Sequence, residues 1–385
     1  MEFYLIVVGS GLAGYGLIEE IRHYSKDMSI LILTEDDGHY YSKPALSTGF
    51  SQSLSADDLV DKTAAQMAEE FNIDIKSFTT VTELNPELNQ LRVDGVTYNY
   101  KKLVLATGAS PIRLSWPEDV NSMVFPINNR LEYQEFSHKL TGKNRVAVIG
   151  SGLVGAEYAN DLAMAGKQVS VISMDERLLQ RLVPCQISDA LQTRLGDLGV
   201  RFEFDSKVIA GHLNTEQELE LTLSNGQQLK VDIILSAVGL SPNLHLAAEA
   251  GIATGHGIKV DLSLQTSAKN VYALGDCAEI QGLVRMYLIP LNLSIKALAR
   301  TLTAADELPV KVSFGAMPVL VKTPSCGIVC VPPPSELKGQ WRVAGEAPHL
   351  QAEFVDEEGK LSGFALSGKK LLQRMTMLRQ LTGNQ

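Results

Sequence analysis

Cysteine is scarce in this chain. Only Cys185, Cys277, Cys326 and Cys330 occur, too few and too scattered for a disulfide framework, and no Cys-x-x-Cys pair is present. Cys326 and Cys330 are four residues apart, with no His or further Cys nearby to complete a metal site, so they read as buried thiols. Long apolar runs are also missing. None approaches the ~18–20 residues of a membrane span. The first one, Phe3–Val8, follows an acid, Glu2, rather than a basic segment. It is too short and too β-prone for a secretory leader, so the expected compartment is the cytoplasm. An excess of positive charge is absent as well. With 34 basic and 44 acidic residues the formal net charge is −10, which argues against a nucleic-acid partner. What remains is an ordinary globular composition, 45% hydrophobic and 20% charged over 385 residues, enough for two or three domains.

The chain does contain a duplication. Phe3–Val8 reads as a strand buried on both faces, and Gly9-Ser10-Gly11-Leu12-Ala13-Gly14 follows at once. A helical stretch then runs to about Lys26, and Ser29–Thr34 reads as a second strand. The pattern returns 141 residues later (Gly9 to Gly150). Val146–Ile149 is a strand, Gly150-Ser151-Gly152-Leu153-Val154-Gly155 the turn, and a helix reaches about Ala165, with Gly166 suited to its C-terminal cap. Val169–Ile172 is the next strand. Between the copies, Leu91–Tyr98 reads as part of a small antiparallel insert, and Lys102–Ala106 as a separate buried strand leading into Thr107-Gly108. From about Gly315 the text becomes Pro-rich and strand-like, with a last helix near Gly368–Leu381.

A glycine turn of this kind has a mechanism. The first glycine makes the tight turn, the second lets backbone approach a diphosphate, and the third lets helix pack on strand, so that the anion sits at the helix N-terminus. Gly9, Ser10, Gly11, Leu12, Ala13 and Gly14 are therefore candidate binders of one dinucleotide, and Gly150, Gly152 and Gly155 of a second. A ribose acceptor should follow the second strand. Glu35, after Thr34, stands 21 residues past Gly14. In the second copy the matching position is read as Ser173, with Asp175 two residues on. NADH is expected over NADPH, but the lack of a clear acid there weakens that preference, and Arg177 keeps NADPH in view.

On these motifs the chain resembles the pyridine nucleotide–disulfide oxidoreductase superfamily over essentially its whole length. The Ala106-Thr107-Gly108-Ala109 and Ala237-Val238-Gly239 segments look like that family's crossings between domains, and Leu274-Gly275-Asp276 like its second FAD motif. Tyr41-Ser42-Lys43-Pro44-Ala45-Leu46-Ser47-Thr48-Gly49-Phe50 is similar to a segment of the rubredoxin–NAD(+) reductases. Most disulfide reductases of the superfamily carry their redox cysteines near this point, whereas here no Cys precedes Cys185. A dithiol relay is thereby excluded.

The resemblance implies an α/β chain with two nested Rossmann-like dinucleotide-binding domains and a small C-terminal α+β domain. The implied divisions are 1–110 with 245–314 for FAD, 111–244 for NAD(P)H, and 315–385. It implies Asp276 on the ribitol hydroxyls, Thr107 and Gly108 at a crossing, and Lys43 near flavin N5 paired with Glu157. It also implies Lys322 at the pyrimidine edge, and backbone contacts at Val81 and Leu288. No side chain is called on as nucleophile or acid–base catalyst. The implied reaction passes hydride from NADH to FAD and then single electrons to rubredoxin or a similar small iron-containing carrier. A ferredoxin or flavorubredoxin reductase, an NADH oxidase, and a non-catalytic flavin-bound redox signal are the alternatives. From Gln281 to Ser335 the only acids are Asp306 and Glu307, and Ser367–Gln385 has four bases, Lys369, Lys370, Arg374 and Arg379, and no acid. That acid-poor end suits docking of an acidic carrier.

Overall fold

A computed structural model of the chain describes residues 1–214, 218–304 and 308–383; Asp306 and Glu307 lie outside the described residues. The chain divides into two compact units. One comprises 1–43, 58–110 and 240–314, the other 44–57, 111–239 and 315–385.

In the first unit, strands Asp74–Lys76, Ile30–Leu33, Glu2–Val8 and Val96–Leu105 lie side by side in that order, all parallel. Strand Val271–Ala273 adds in parallel to Leu103–Leu105. Successive side chains of a strand point to opposite faces. Leu5, Val7, Ile30 and Ile32 accordingly enter one core, and Ile6, Leu31 and Leu33 the other. Two apolar faces are why Phe3–Val8 reads as an unbroken hydrophobic run. Helices Leu12–Tyr24 and Leu288–Thr303 cover one face; their Leu17, Ile18, Ile21, Ile295 and Leu298 share its core. The antiparallel insert is present, but its last part and the strand read separately after it are one strand, Val96–Leu105. Its first residues pair antiparallel with Gln90–Val93 and its last ones lie inside the parallel sheet. Pattern alone missed this because Tyr98 and Tyr100 are buried as deeply as the aliphatic residues beyond them.

The second unit repeats the theme. Strands Val124–Phe125, Ile233–Ser236, Arg145–Ile149, Gln168–Ile172 and Arg201–Glu203 form a parallel sheet in that order. Helix Leu153–Met164 follows the Gly150 turn and ends at Gly166, whose φ of 79° fits the left-handed cap. Val208–Leu213, Leu219–Leu223 and Gln228–Val231 form a three-stranded antiparallel sheet. The C-terminal segment folds as an antiparallel sheet in the order Val319–Val321, Ile328–Val331, Leu361–Ser367, His349–Asp356 and Gly339–Glu346. A 3-10 turn, Gly368–Gln373, and helix Arg374–Gly383 close it, packing Met377 and Leu381 on Val329, Phe364 and Leu366. This is the expected α+β arrangement.

Candidate functional site: two diphosphate cradles and a buried clamp

Three glycines shape the first cradle, each differently. A Cβ on Gly9, whose φ is 116°, would meet the Ala106 carbonyl oxygen at 2.2 Å. One on Gly14 would meet the Gly9 oxygen at 2.1 Å. Both glycines let backbone pass backbone. A Cβ on Gly11 meets nothing within 4 Å, so there the space above the backbone is open. Gly11 is also the N-cap of helix Leu12–Tyr24, which has no side-chain cap and no acid in its first turn. The leading N–H groups of this helix, Leu12 and Ala13 among them, face that space without an intrahelical acceptor, which suits an anion.

Ser10 and Thr34 hold the frame through their side chains. Both are buried. Their hydroxyls lie 2.8 Å apart, and each donates to Asp36 Oδ1, at 3.0 and 2.8 Å. Glu35, between Thr34 and Asp36, is exposed and makes no hydrogen bond among the described residues, so its carboxylate remains an available acceptor.

Asp276 opens a 3-10 turn, Gly275–Cys277, just after strand Val271–Ala273. Burial pushes its carboxyl above the usual carboxylate range, and the Lys43 charge pulls it part of the way back. No hydrogen bond among the described residues reaches this carboxylate, and a half-buried anion of that kind needs donors. Leu288 is the first residue of helix Leu288–Thr303, where a backbone N–H has no intrahelical partner. Val81 packs at the edge of the core that contains Leu31 and Leu33. Thr107 and Gly108 are pinned by a residue that sequence reading missed, Asn243. Thr107 donates its hydroxyl to the Asn243 carbonyl at 3.1 Å, and Asn243 Nδ2 donates to the Thr107 carbonyl at 2.7 Å. The available signal was a polar amide directly after Ser241-Pro242, just past the Ala237-Val238-Gly239 crossing.

The second cradle repeats the first. A Cβ on Gly150, with φ of 110°, would meet the Ala237 oxygen at 2.5 Å, one on Gly155 would meet the Gly150 oxygen at 2.1 Å, and one on Gly152 meets nothing within 4 Å. Gly152 caps helix Leu153–Met164, again with no side-chain cap and no acid in the first turn. Ser151 lies 2.8 Å from Ser173 Oγ and donates to Asp175 Oδ2 at 3.0 Å.

Farther along that helix, Glu157, Asn160 and Asp161 turn three buried polar groups to one side, as spacings of three and four dictate. Glu157 Oε2 accepts from Lys322 Nζ at 2.7 Å and from the Ser47 hydroxyl at 2.6 Å, and Oε1 accepts the Lys322 N–H at 2.8 Å. Lys322 Nζ also reaches the Pro44 carbonyl. Asn160 Oδ1 accepts from the Ser325 hydroxyl. Asp161 accepts the Phe50 and Ser51 N–H groups, each at 2.9 Å, while burial raises its pKa against those bonds. Lys322 meets both Glu157 oxygens, one through Nζ and the other through its backbone N–H; the partner expected for Glu157 was Lys43, whose charge acts on Asp276. The strand Val319–Val321 delivers Lys322 to the helix, a meeting that no spacing in the sequence announces.

Two strand–glycine turn–helix cradles on one chain, each with an open floor and an uncapped helix behind it, have the geometry that suits two dinucleotides. The chain belongs to the pyridine nucleotide-disulphide oxidoreductase family, which matches residues 3–300, and it is an oxidoreductase. Residues 311–381 match the rubredoxin binding C-terminal domain. The rubredoxin-NAD(+) reductase of Alcanivorax borkumensis is 41% identical over 377 residues, 98% of each chain. The nitric oxide reductase FlRd-NAD(+) reductase of Aliivibrio fischeri is 36% identical over 99% of each. Among solved structures, NADH:rubredoxin oxidoreductase from Clostridium acetobutylicum shares the fold with a TM-score of 0.83 at 20% identity, covering 100% of this chain and 96% of that one.

Proposed function

We propose that the protein is an FAD-dependent NADH:rubredoxin oxidoreductase working in the cytoplasm. The observation that carries this reading is the pair of open-floored cradles on a chain whose C-terminal segment matches a rubredoxin-binding domain. The residues present fit FAD in the first unit. Gly11 leaves room for the diphosphate, Glu35 offers an acceptor to the adenosine ribose, and Asp276 is a half-buried carboxylate short of donors, as ribitol hydroxyls would supply. Bound FAD would take a hydride from the nicotinamide and release electrons one at a time.

The protein's own work is binding, orientation and electrostatics. Lys43 places positive charge by Asp276, inside the same unit. Glu157 is hydrogen-bonded by Lys322 and Ser47. The three buried thiols take no part. Burial pushes Cys277 and Cys326 up and Cys330 to about 12, which leaves them protonated and unreactive. The full-length similarity to FlRd-NAD(+) reductases supports a second reading, in which the acceptor is the rubredoxin-like centre of a flavorubredoxin. NADH-driven reduction of purified rubredoxin, flavorubredoxin and ferredoxin tests both. The proposal fails if rubredoxin is never reduced while another carrier is, or if oxygen alone reoxidises the reduced enzyme.

A further inference from the structure

The two nucleotide-binding halves correspond bond for bond at the end of their second strand. In the first, the Thr34 N–H donates to the Lys76 carbonyl at 3.1 Å, the Thr79 N–H to the Thr34 carbonyl at 2.7 Å, and the Phe78 N–H to the Asp36 carbonyl at 2.8 Å. In the second, the Ser173 N–H donates to the Glu203 carbonyl at 3.0 Å, the Ser206 N–H to the Ser173 carbonyl at 2.9 Å, and the Asp205 N–H to the Asp175 carbonyl at 3.2 Å. The side chains agree. Ser10 contacts Thr34 and Asp36 at 2.8 and 3.0 Å, as Ser151 contacts Ser173 and Asp175. Ser173 is thus the counterpart of Thr34, and Asp175 of Asp36. The counterpart of the exposed Glu35 is Met174, not Ser173.

An acid at this point accepts the ribose 2′-hydroxyl and repels a 2′-phosphate. Met174 is 74% exposed and carries only a thioether, uncharged and a weak acceptor. Ser173 is 7% exposed, with its hydroxyl bound to Ser151, and it accepts the Asp175 N–H as well, so it cannot turn to a ligand. Asp175 is held inside the same network. Arg177 rests on Glu176 at 2.8 Å, in a pair whose carboxylate is 63% exposed. Such a surface pair holds its partners weakly, which leaves the guanidinium free to exchange onto a phosphate.

We propose that Met174 is the residue facing the adenosine 2′ position of the nicotinamide nucleotide, and that for want of a carboxylate there the protein binds NADPH as well as NADH. This rests on the reading of the second half as the nicotinamide nucleotide site. The test is calorimetric titration of the flavin-loaded enzyme with the unreactive oxidised forms, NAD+ and NADP+. The two dissociation constants of the parent should differ by no more than about tenfold. Met174→Glu should tighten NAD+ and weaken NADP+, widening their ratio by about tenfold or more. Ser173→Glu should lower the melting temperature and weaken both nucleotides, because it breaks the Ser151–Ser173–Asp175 network. A parent that rejects NADP+ by more than about a hundredfold overturns the proposal. So does a ratio that Ser173→Glu shifts in a normally stable protein while Met174→Glu leaves it unmoved. A parent that binds neither nucleotide overturns the site assignment itself, an outcome distinct from either.

Discussion

Gly11 and Gly14 sit three residues apart and should fail in opposite ways. Gly11 has extended backbone, φ −69° and ψ −172°, which any residue adopts, and its Cβ would enter open space. Gly11→Val should therefore fold, at a cost of about 1 kcal/mol or less for the altered cap, yet purify colourless because the side chain fills the diphosphate floor. Gly14→Ala drives a methyl to 2.1 Å from a backbone oxygen, an overpacking that costs about 1–3 kcal/mol, so its thermal midpoint should drop. A yellow, active Gly11→Val protein would remove the first cradle from the FAD assignment. Asp276 gives a pH signature. Its pKa is raised by burial, and the anion accepts hydroxyl hydrogen bonds more strongly than the neutral acid. Flavin affinity should be complete above that raised pKa and fall as pH drops through it. Flavin release followed by fluorescence would show this, and Asp276→Asn should bind more weakly with a flatter acid limb.

At the scale of elements, helix Leu153–Met164 serves twice. Its N-terminus closes the second cradle, and its side at Glu157, Asn160 and Asp161 grips the Pro44–Asp57 segment and the Lys322–Ser325 turn within the same unit. The Glu157–Lys322 pair is the part whose disruption costs most, because Glu157 is 4% exposed and Lys322 28%. Removing one partner strands a buried charge. Lys322→Met should lower stability by roughly 3–5 kcal/mol, while combining it with Glu157→Leu should recover most of that loss. Denaturant midpoints of the single and double variants measure the coupling. Additive losses would show that the pair is no clamp.

For the whole molecule, the strongest contrast is between a net charge of −10 and a C-terminal stretch, Ser367–Gln385, with four bases and no acid. In the structure these bases span the Gly368–Gln373 turn and helix Arg374–Gly383, where Leu372 is 89% exposed and Met375 55%. Positive charge beside exposed apolar side chains suits docking of an acidic carrier. Each rim charge contributes about 0.2–1 kcal/mol, so Lys369, Arg374 and Arg379 should be reversed to Glu together. The second-order rate of rubredoxin reduction should fall at low salt, with hydride transfer from NADH unchanged. The parent's rate should decline as the screening length shortens toward ~8–10 Å. A rate indifferent to both salt and reversal would exclude this surface.

Local sequence determined whatever depends on neighbours along the chain. The Gly-Ser-Gly-Leu turns fix both cradles, because strand, turn and helix are contiguous and a missing Cβ is written in the residue name. Asp276 and Leu288 came only through the resemblance to a known family, and the structure sets both at element ends. Tertiary structure decided the rest. The continuity of Val96–Leu105, the pairing of Lys322 with Glu157, the Asn243 pin at Thr107, and the register that puts Met174 opposite Glu35 all depend on segments tens to hundreds of residues apart. Contacts of that range are set by packing and buried hydrogen-bond satisfaction, and leave no periodicity to count. Reading from the end of the strand Val169–Ile172 placed the acceptor at Ser173, one residue short of Met174. Only the hydrogen bonds to the neighbouring strand show where the second copy loses its extra residues.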